Sequence, residues 1–183
     1  MTSEARVAIG ADGGPRFEIG PHHCFACGTL NTHGLHLDLH LATSRSWVEL
    51  ALDDRFEGWE GIVHGGIVST ILDEVMAWAL VSEDHWGLTA RLNVEFKAPV
   101  VIGQRIRAEG WITRHRRRVV DTAAQVVDAE HGSVLATATG VYVAAAEARR
   151  AELRARYDLR PIQAGTQAHD GNGATPVSVD GRG

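Results

Sequence analysis

The run from Ile67 to Val81 constrains this chain more than any other segment. Ile67, Val68, Ile71, Leu72, Val75, Met76, Trp78, Ala79 and Leu80 cannot all share one helical stripe. The run is too long for a strand and contains neither Gly nor Pro, so it reads as a helix buried nearly all round. A helix of that kind must be wrapped by other structure.

The flanking sequence supplies the wrapping. Leu35, Leu37, Leu39 and Leu41 alternate with His36, Asp38 and His40, the period-two pattern of a strand with one buried face. Ser46 to Leu52 gives a second strand. After the helix, β-like stretches run over Thr89–Phe96, Arg105–His115, Val119–Val127 and Val134–Val143, with turn signals at Ala98-Pro99, Gly103, the arginine cluster and His131-Gly132. Strands grouped on either side of one helix exclude a βαβ alternation. They predict an α+β fold, an antiparallel sheet of about five to six strands wrapped around one long central helix. Three zones follow: a Gly-, His- and Pro-rich leader over 1–33, the periodic domain over 34–146, and a C-terminal zone over 147–183. In the last zone Ala148, Ala151, Leu153 and Tyr157 form the stripe of a short surface helix, and the residues after Pro161 read as disordered.

With 183 residues, 44% hydrophobic and 22% charged, the chain is the size and composition of one soluble globular domain. A net charge of -5 argues against nucleic-acid binding, which calls for a basic excess. Met1 to Gly20 is polar and Gly-rich, so neither a signal peptide nor a membrane anchor is expected. Cys24 and Cys27, the two cysteines, make no disulfide framework. The expected location is cytoplasmic.

Asp73 and Glu74 lie in the middle of the apolar helix. A buried carboxylate costs several kcal/mol unless paired or hydrogen-bonded, so these two mark a site, or lie on one solvated edge or at a subunit seam. Helical spacing puts Gly66, Ser69, Thr70, Ala77 and Leu80 on the face of Asp73; all but Leu80 are small, leaving room for water or a ligand. Glu74 neighbours the bulkier Ile71, Trp78 and Val81. At the helix entry, Gly61-Ile62-Val63-His64-Gly65-Gly66 combines paired glycines with the unsatisfied first amides of a helix, equipment suited to a developing oxyanion. Asp73 is about two and a half turns further on, too far for both to reach one carbonyl from the same chain. Two subunits, one giving the amide and the other the acid, resolve the geometry.

The block GIVHGGIVSTILDEVMAWA (Gly61 to Ala79), the later TARLNVEFKAPV (Thr89 to Val100) and the leader CFACGTLNTHGLHL (Cys24 to Leu37) together resemble the hotdog-fold acyl-CoA thioesterases, in particular the PaaI-like, phenylacetate-pathway branch. The resemblance covers roughly residues 22 to 145. It implies hydrolysis of a fatty or aromatic acyl-CoA, a homodimer whose two sheets join into one, often a homotetramer built as a dimer of dimers, and no cofactor or metal. It further implies Asp73 as the carboxylate that activates water or attacks the thioester, and Gly66 as the amide that polarises the carbonyl. His64 and Gly65 then shape that loop, and Thr89 helps to hold the water. Glu74 receives no firm role beyond a place near the substrate.

Weaker signals admit two readings each. Arg114, Arg116, Arg117 and Arg118 make either a solvated hairpin tip or an anchor for the CoA phosphates, with Arg117 and Arg118 the candidates. Cys24-x-x-Cys27, with His22, His23, His33 and His36 nearby, could hold zinc or act in redox chemistry; a lone CxxC reads first as a structural leader packed near the pocket. Trp59 precedes the glycine loop and could flank an acyl chain. Competing functions are a non-catalytic acyl-CoA binding or sensing protein, and a hotdog hydratase or dehydratase. A binder has no need of Asp73 and Thr89, and the acid–histidine arrangement of the hydratases is not found.

Overall fold

The computed structural model describes residues 7–10 and 16–161. Its strands are β1 (Val7–Ile9), β2 (Phe17–Ile19), β3 (His40–Ala42), β4 (Arg45–Ala51), β5 (Glu57–Trp59), β6 (Ile62–Val63), β7 (Gly87–Phe96), β8 (Arg105–Arg116), β9 (Val119–Asp128), β10 (Val134–Ala144) and β11 (Arg160–Pro161). The helices are α1 (Gly65–Val81) and α2 (Glu147–Tyr157). Six strands form one antiparallel sheet in the order β3-β4-β8-β9-β10-β7, and α1 packs across it, chiefly on β8 and β4. This is the α+β hotdog arrangement that the sequence predicts. A smaller sheet, β1-β2-β11, ties the leader to the segment after α2, and β5 pairs with β6.

Alternation drives the wrapping. Ile106 and Ala108 of β8, Val120, Thr122, Ala124 and Val126 of β9, and Ala138 and Tyr142 of β10 all turn inward onto Ile71, Leu72, Val75 and Met76, which are fully enclosed. Each such aliphatic side chain contributes roughly 1.5–3 kcal/mol. The inward set on the sheet is small because the helix lies close. A Cβ on Gly110 would stand 2.6 Å from the Val75 carbonyl carbon and 2.7 Å from the Met76 nitrogen, so backbone meets backbone there. The buried Ser46 hydroxyl reaches across the same gap and donates to the Val75 carbonyl.

Two expectations need correction. The Leu35–Leu41 alternation does describe burial, with Leu37, Leu39 and Leu41 inside and His36 and Asp38 outside. Only His40–Ala42 is a strand, however. His36 adopts φ 50°, which breaks the extended run, and β4 offers partners only to residues 40–42. The helix, too, is not enclosed on every side: Gly66 is exposed and Ser69, Thr70, Asp73 and Ala77 are half-buried, so the small-residue face of Asp73 stays open. The short C-terminal helix is present as α2, with Leu153 and Tyr157 packed on the core. The tail expected to be disordered after Pro161 lies outside the described residues. Among the described residues, no helix is long and apolar enough to cross a membrane.

Candidate active site

His64 opens α1 as its N-cap, and its Nδ1 accepts the Gly66 amide at 2.9 Å. The amides of Ile67 and Val68 both turn back to the His64 carbonyl. Thus the amide singled out for an oxyanion is already paired with an imidazole, while the Gly65 amide has no acceptor among the described residues. His64 is exposed and free to swing aside. An open groove of about 450 Å³ runs past this entry, bounded by Trp59, Val63, His64, Gly65, Phe96 and Pro99. Trp59 is 84% exposed and Phe96 55%. These are large apolar surfaces for a side chain in water.

Nine residues along the helix, β10 and β7 converge on Asp73. Tyr142 faces Thr89 across the β10–β7 ladder, and both hydroxyls aim at one oxygen. Tyr142 Oη donates to Asp73 Oδ1 at 2.7 Å, and Thr89 Oγ1 donates to the same atom at 2.9 Å. Tyr142 Oη also lies 3.0 Å from the Asp73 backbone carbonyl. Burial first, and then the Asp73 charge, push the Tyr142 phenol well above its ordinary range, so it stays a donor at any working pH. Two neutral donors fix the Asp73 carboxylate by Oδ1 and, among the described residues, leave Oδ2 without a partner, as a general base or a nucleophile requires. Neither the groove beside His64 nor the cavity beside Glu74 is lined by Asp73; its open side is the small-residue face of α1. Tyr142 escaped the sequence reading. Its signal was a lone aromatic in the Val-, Ala- and Thr-rich run of β10, at an inward position.

Glu74 points elsewhere. Its Oε1 accepts Trp78 Nε1 at 2.9 Å, and Cys24 Sγ lies 3.8 and 4.0 Å from its two oxygens. Burial, with the Cys24 charge assisting, raises its carboxyl to about 7. A cavity of about 220 Å³ bounded by Cys24, Cys27, Glu74, Trp78, Leu88 and Tyr157 adjoins it. Arg117 and Arg118 form the β8–β9 turn, Arg117 at φ 55°. The Arg118 guanidinium donates to the Ala144 carbonyl at 3.2 Å, and Arg116 pairs with Asp121 at 2.7 Å. Since Val119 pairs with Val143, and Val143 with Leu88, this turn stands at the Thr89 end of the sheet, two strands or roughly 10 Å away.

The wrapped helix, the glycine entry and the inward acid define a hotdog domain. Residues 60–135 match the family model described as the thioesterase superfamily, which bears out the resemblance read from the sequence. Three solved structures share the fold. A thioesterase superfamily protein is 24% identical with TM-score 0.62, the match covering 66% of this chain and 63% of that one; this chain thus spans less than two thirds of that protein's length. The PaaI protein of the phenylacetic acid degradation operon of E. coli is 15% identical with TM-score 0.58, covering 61% and 81%. A protein of Streptococcus mutans UA159, solved bound to acetyl CoA, is 16% identical with TM-score 0.54, covering 56% and 82%. No curated protein matches the chain.

Proposed function

We propose that this protein hydrolyses an acyl-CoA thioester to the free acid and CoA, with Asp73 as the catalytic carboxylate. The observation that carries the reading is the paired Thr89 and Tyr142 hydroxyls on Asp73 Oδ1. They hold the Asp73 carboxylate at the open face of α1, beside the half-buried Ser69, Thr70 and Ala77. The acetyl-CoA complex of the S. mutans neighbour supports the substrate class. Asp73 Oδ2 takes a proton from water, the hydroxide adds to the thioester carbon, and the C–S bond breaks to release CoA thiolate. The carbonyl oxygen takes the place of His64 Nδ1 on the Gly66 amide, with the neighbouring Gly65 amide beside it, and Trp59 flanks the chain. Arg117 and Arg118, at the Thr89 end of the sheet, would anchor the nucleotide phosphates of CoA.

Gly66 and Asp73 are seven residues apart on one helix, about 10 Å at 1.5 Å per residue, so the site is built from two subunits. β7 is the sheet edge, and seven of its ten residues are exposed in one chain, Leu88 at 78%. Pairing β7 with its copy joins two sheets and covers that edge. Release of free thiol from a panel of acyl-CoAs, read with a thiol-reactive dye, tests the activity; no release from any member refutes it.

Shared sites predict complementation. Gly66→Pro removes the amide at a helix position that tolerates proline, and Asp73→Asn removes the base. Refolding the two inactive chains together should restore about a quarter of the wild-type activity, since mixed dimers carry one intact site. Recovery of nothing would place each site within one subunit. Tyr142→Phe tests the positioning role: a hydrogen bond to a charged group is worth about 1.5–3 kcal/mol, so kcat should fall roughly 10- to 100-fold with KM unchanged, in steady-state kinetics.

A further inference from the structure

The leader turn carries a second constellation, independent of the hydrolase reading. His22, Cys24 and Cys27 fold back onto α1 at Glu74, fifty residues later in sequence than Cys24. One ligand atom from each of Cys24, Cys27 and Glu74 lies within 4.8 Å of the other two. His22 Nε2 is 3.4 Å from Cys27 Sγ, and its Nδ1 is 2.9 Å from the Gly20 carbonyl. That second contact takes the Nδ1 proton and leaves Nε2 with its lone pair toward the sulfur, the usual support of a metal-bound imidazole.

We infer that Cys24, Cys27 and Glu74, completed by His22, bind a thiolate-seeking divalent cation, zinc first among them. A tetrahedral ion with bonds of about 2.3 Å to sulfur and 2.0–2.1 Å to nitrogen or oxygen holds its donors roughly 3.6–3.8 Å apart. Cys24, Cys27 and Glu74, within 4.8 Å of one another, reach that spacing by closing about 1 Å, and His22 Nε2, 3.4 Å from Cys27 Sγ, turns in to complete the four. The turn is shaped for it. The Gly28 amide closes on the Cys24 carbonyl at 2.9 Å. A Cβ on Gly28 would stand 2.4 Å from both the Cys24 nitrogen and the His22 carbonyl oxygen, so only glycine allows the loop to tighten this far. Zinc binding would displace whatever protons the two thiols carry.

A metal uses the carboxylate and the imidazole as ligands, and the disulfide test below separates it from a redox dithiol. Bound there, the ion fastens the leader to α1 at the residue next to Asp73, and its work is structural. The sequence offered zinc as one reading of Cys24-x-x-Cys27 with the nearby histidines, but Glu74, fifty residues away, could not be read as a donor from it.

Metal analysis of the full chain, purified without chelator, should find about one zinc per chain, and Cys24→Ser, Cys27→Ser and Glu74→Gln should each lose it. Glu74→Gln keeps both thiols and guards against a simple loss of folding, which circular dichroism checks. His22→Gln should weaken zinc binding about 10- to 100-fold. Cobalt added to the stripped protein should give the intense visible bands of a four-coordinate thiolate site, and zinc should raise its melting temperature by about 5–15 °C. Stripped protein that takes up no zinc with both thiols still titratable, or a Cys24–Cys27 disulfide in the protein as isolated, would overturn the assignment. Thioesterase activity is not among these readouts, so either conclusion can fail alone.

Discussion

Asp73→Asn is expected to lower kcat by about 10²- to 10⁴-fold, the usual worth of general-base assistance. The substitution is nearly isosteric. Thr89 and Tyr142 can still donate to the amide oxygen, so the melting temperature should change little. The amide nitrogen that replaces Oδ2 has no lone pair to take a proton and no charge to attack a carbonyl, so both the general-base and the nucleophilic route are lost. Binding of a non-hydrolysable acyl-CoA analogue should persist, separating loss of chemistry from loss of the pocket. An Asp73→Asn enzyme with kcat near wild type would remove Asp73 from the mechanism, and the two hydroxyls on it would then be fold-stabilising only.

Gly110→Val carries the largest expected effect on the fold. Its Cβ would fall 2.6 Å from the Val75 carbonyl carbon, and backbone on both sides cannot rotate away as a side chain would. Helix and sheet must separate. Overpacking of this kind costs about 3 kcal/mol, which for a chain of this length lowers the melting temperature by roughly 6–12 °C. Gly110→Ala should shift it the same way by less. Because Asp73 is two residues before Val75 on α1, separation should also draw the carboxylate from Tyr142, whose hydroxyl is fixed on β10. Soluble Gly110→Val protein should therefore lose kcat as well. A melting point within a couple of degrees of wild type would mean that α1 and β8 are less closely packed than the 2.6 Å approach requires.

What could be read from sequence was whatever lies within one element. The helix stood out because apolar side chains fill nearly every direction around it, and the strands because they alternate. Burial along Leu37, Leu39 and Leu41 was legible, but the absence of a partner strand before His40 was not, since pairing depends on where β4 ends. Asp73 was legible as an acid among small residues. Its two hydroxyl partners divide the case: Thr89 came from a family likeness, whereas Tyr142 depends on the β10–β7 register, which no local pattern encodes. The pairing of Gly66 with His64 Nδ1 turns on a rotamer. The link from Cys24 to Glu74 arises only when the leader folds back over α1.

The bare edge at Gly87–Phe96 has a consequence for handling the protein. A separated subunit would offer an unpaired row of backbone amides and carbonyls beside Leu88 and Phe96, the kind of edge that recruits whatever strand it meets. With the β7 pairing and shared site proposed above, mass action would govern both persistence and turnover: dilution would release edges, and each released edge would also be half of a dismantled catalytic centre. Specific activity per milligram should accordingly decline at low enzyme concentration, and the dilutions that cost activity should be the ones at which the protein begins to precipitate or stick to surfaces.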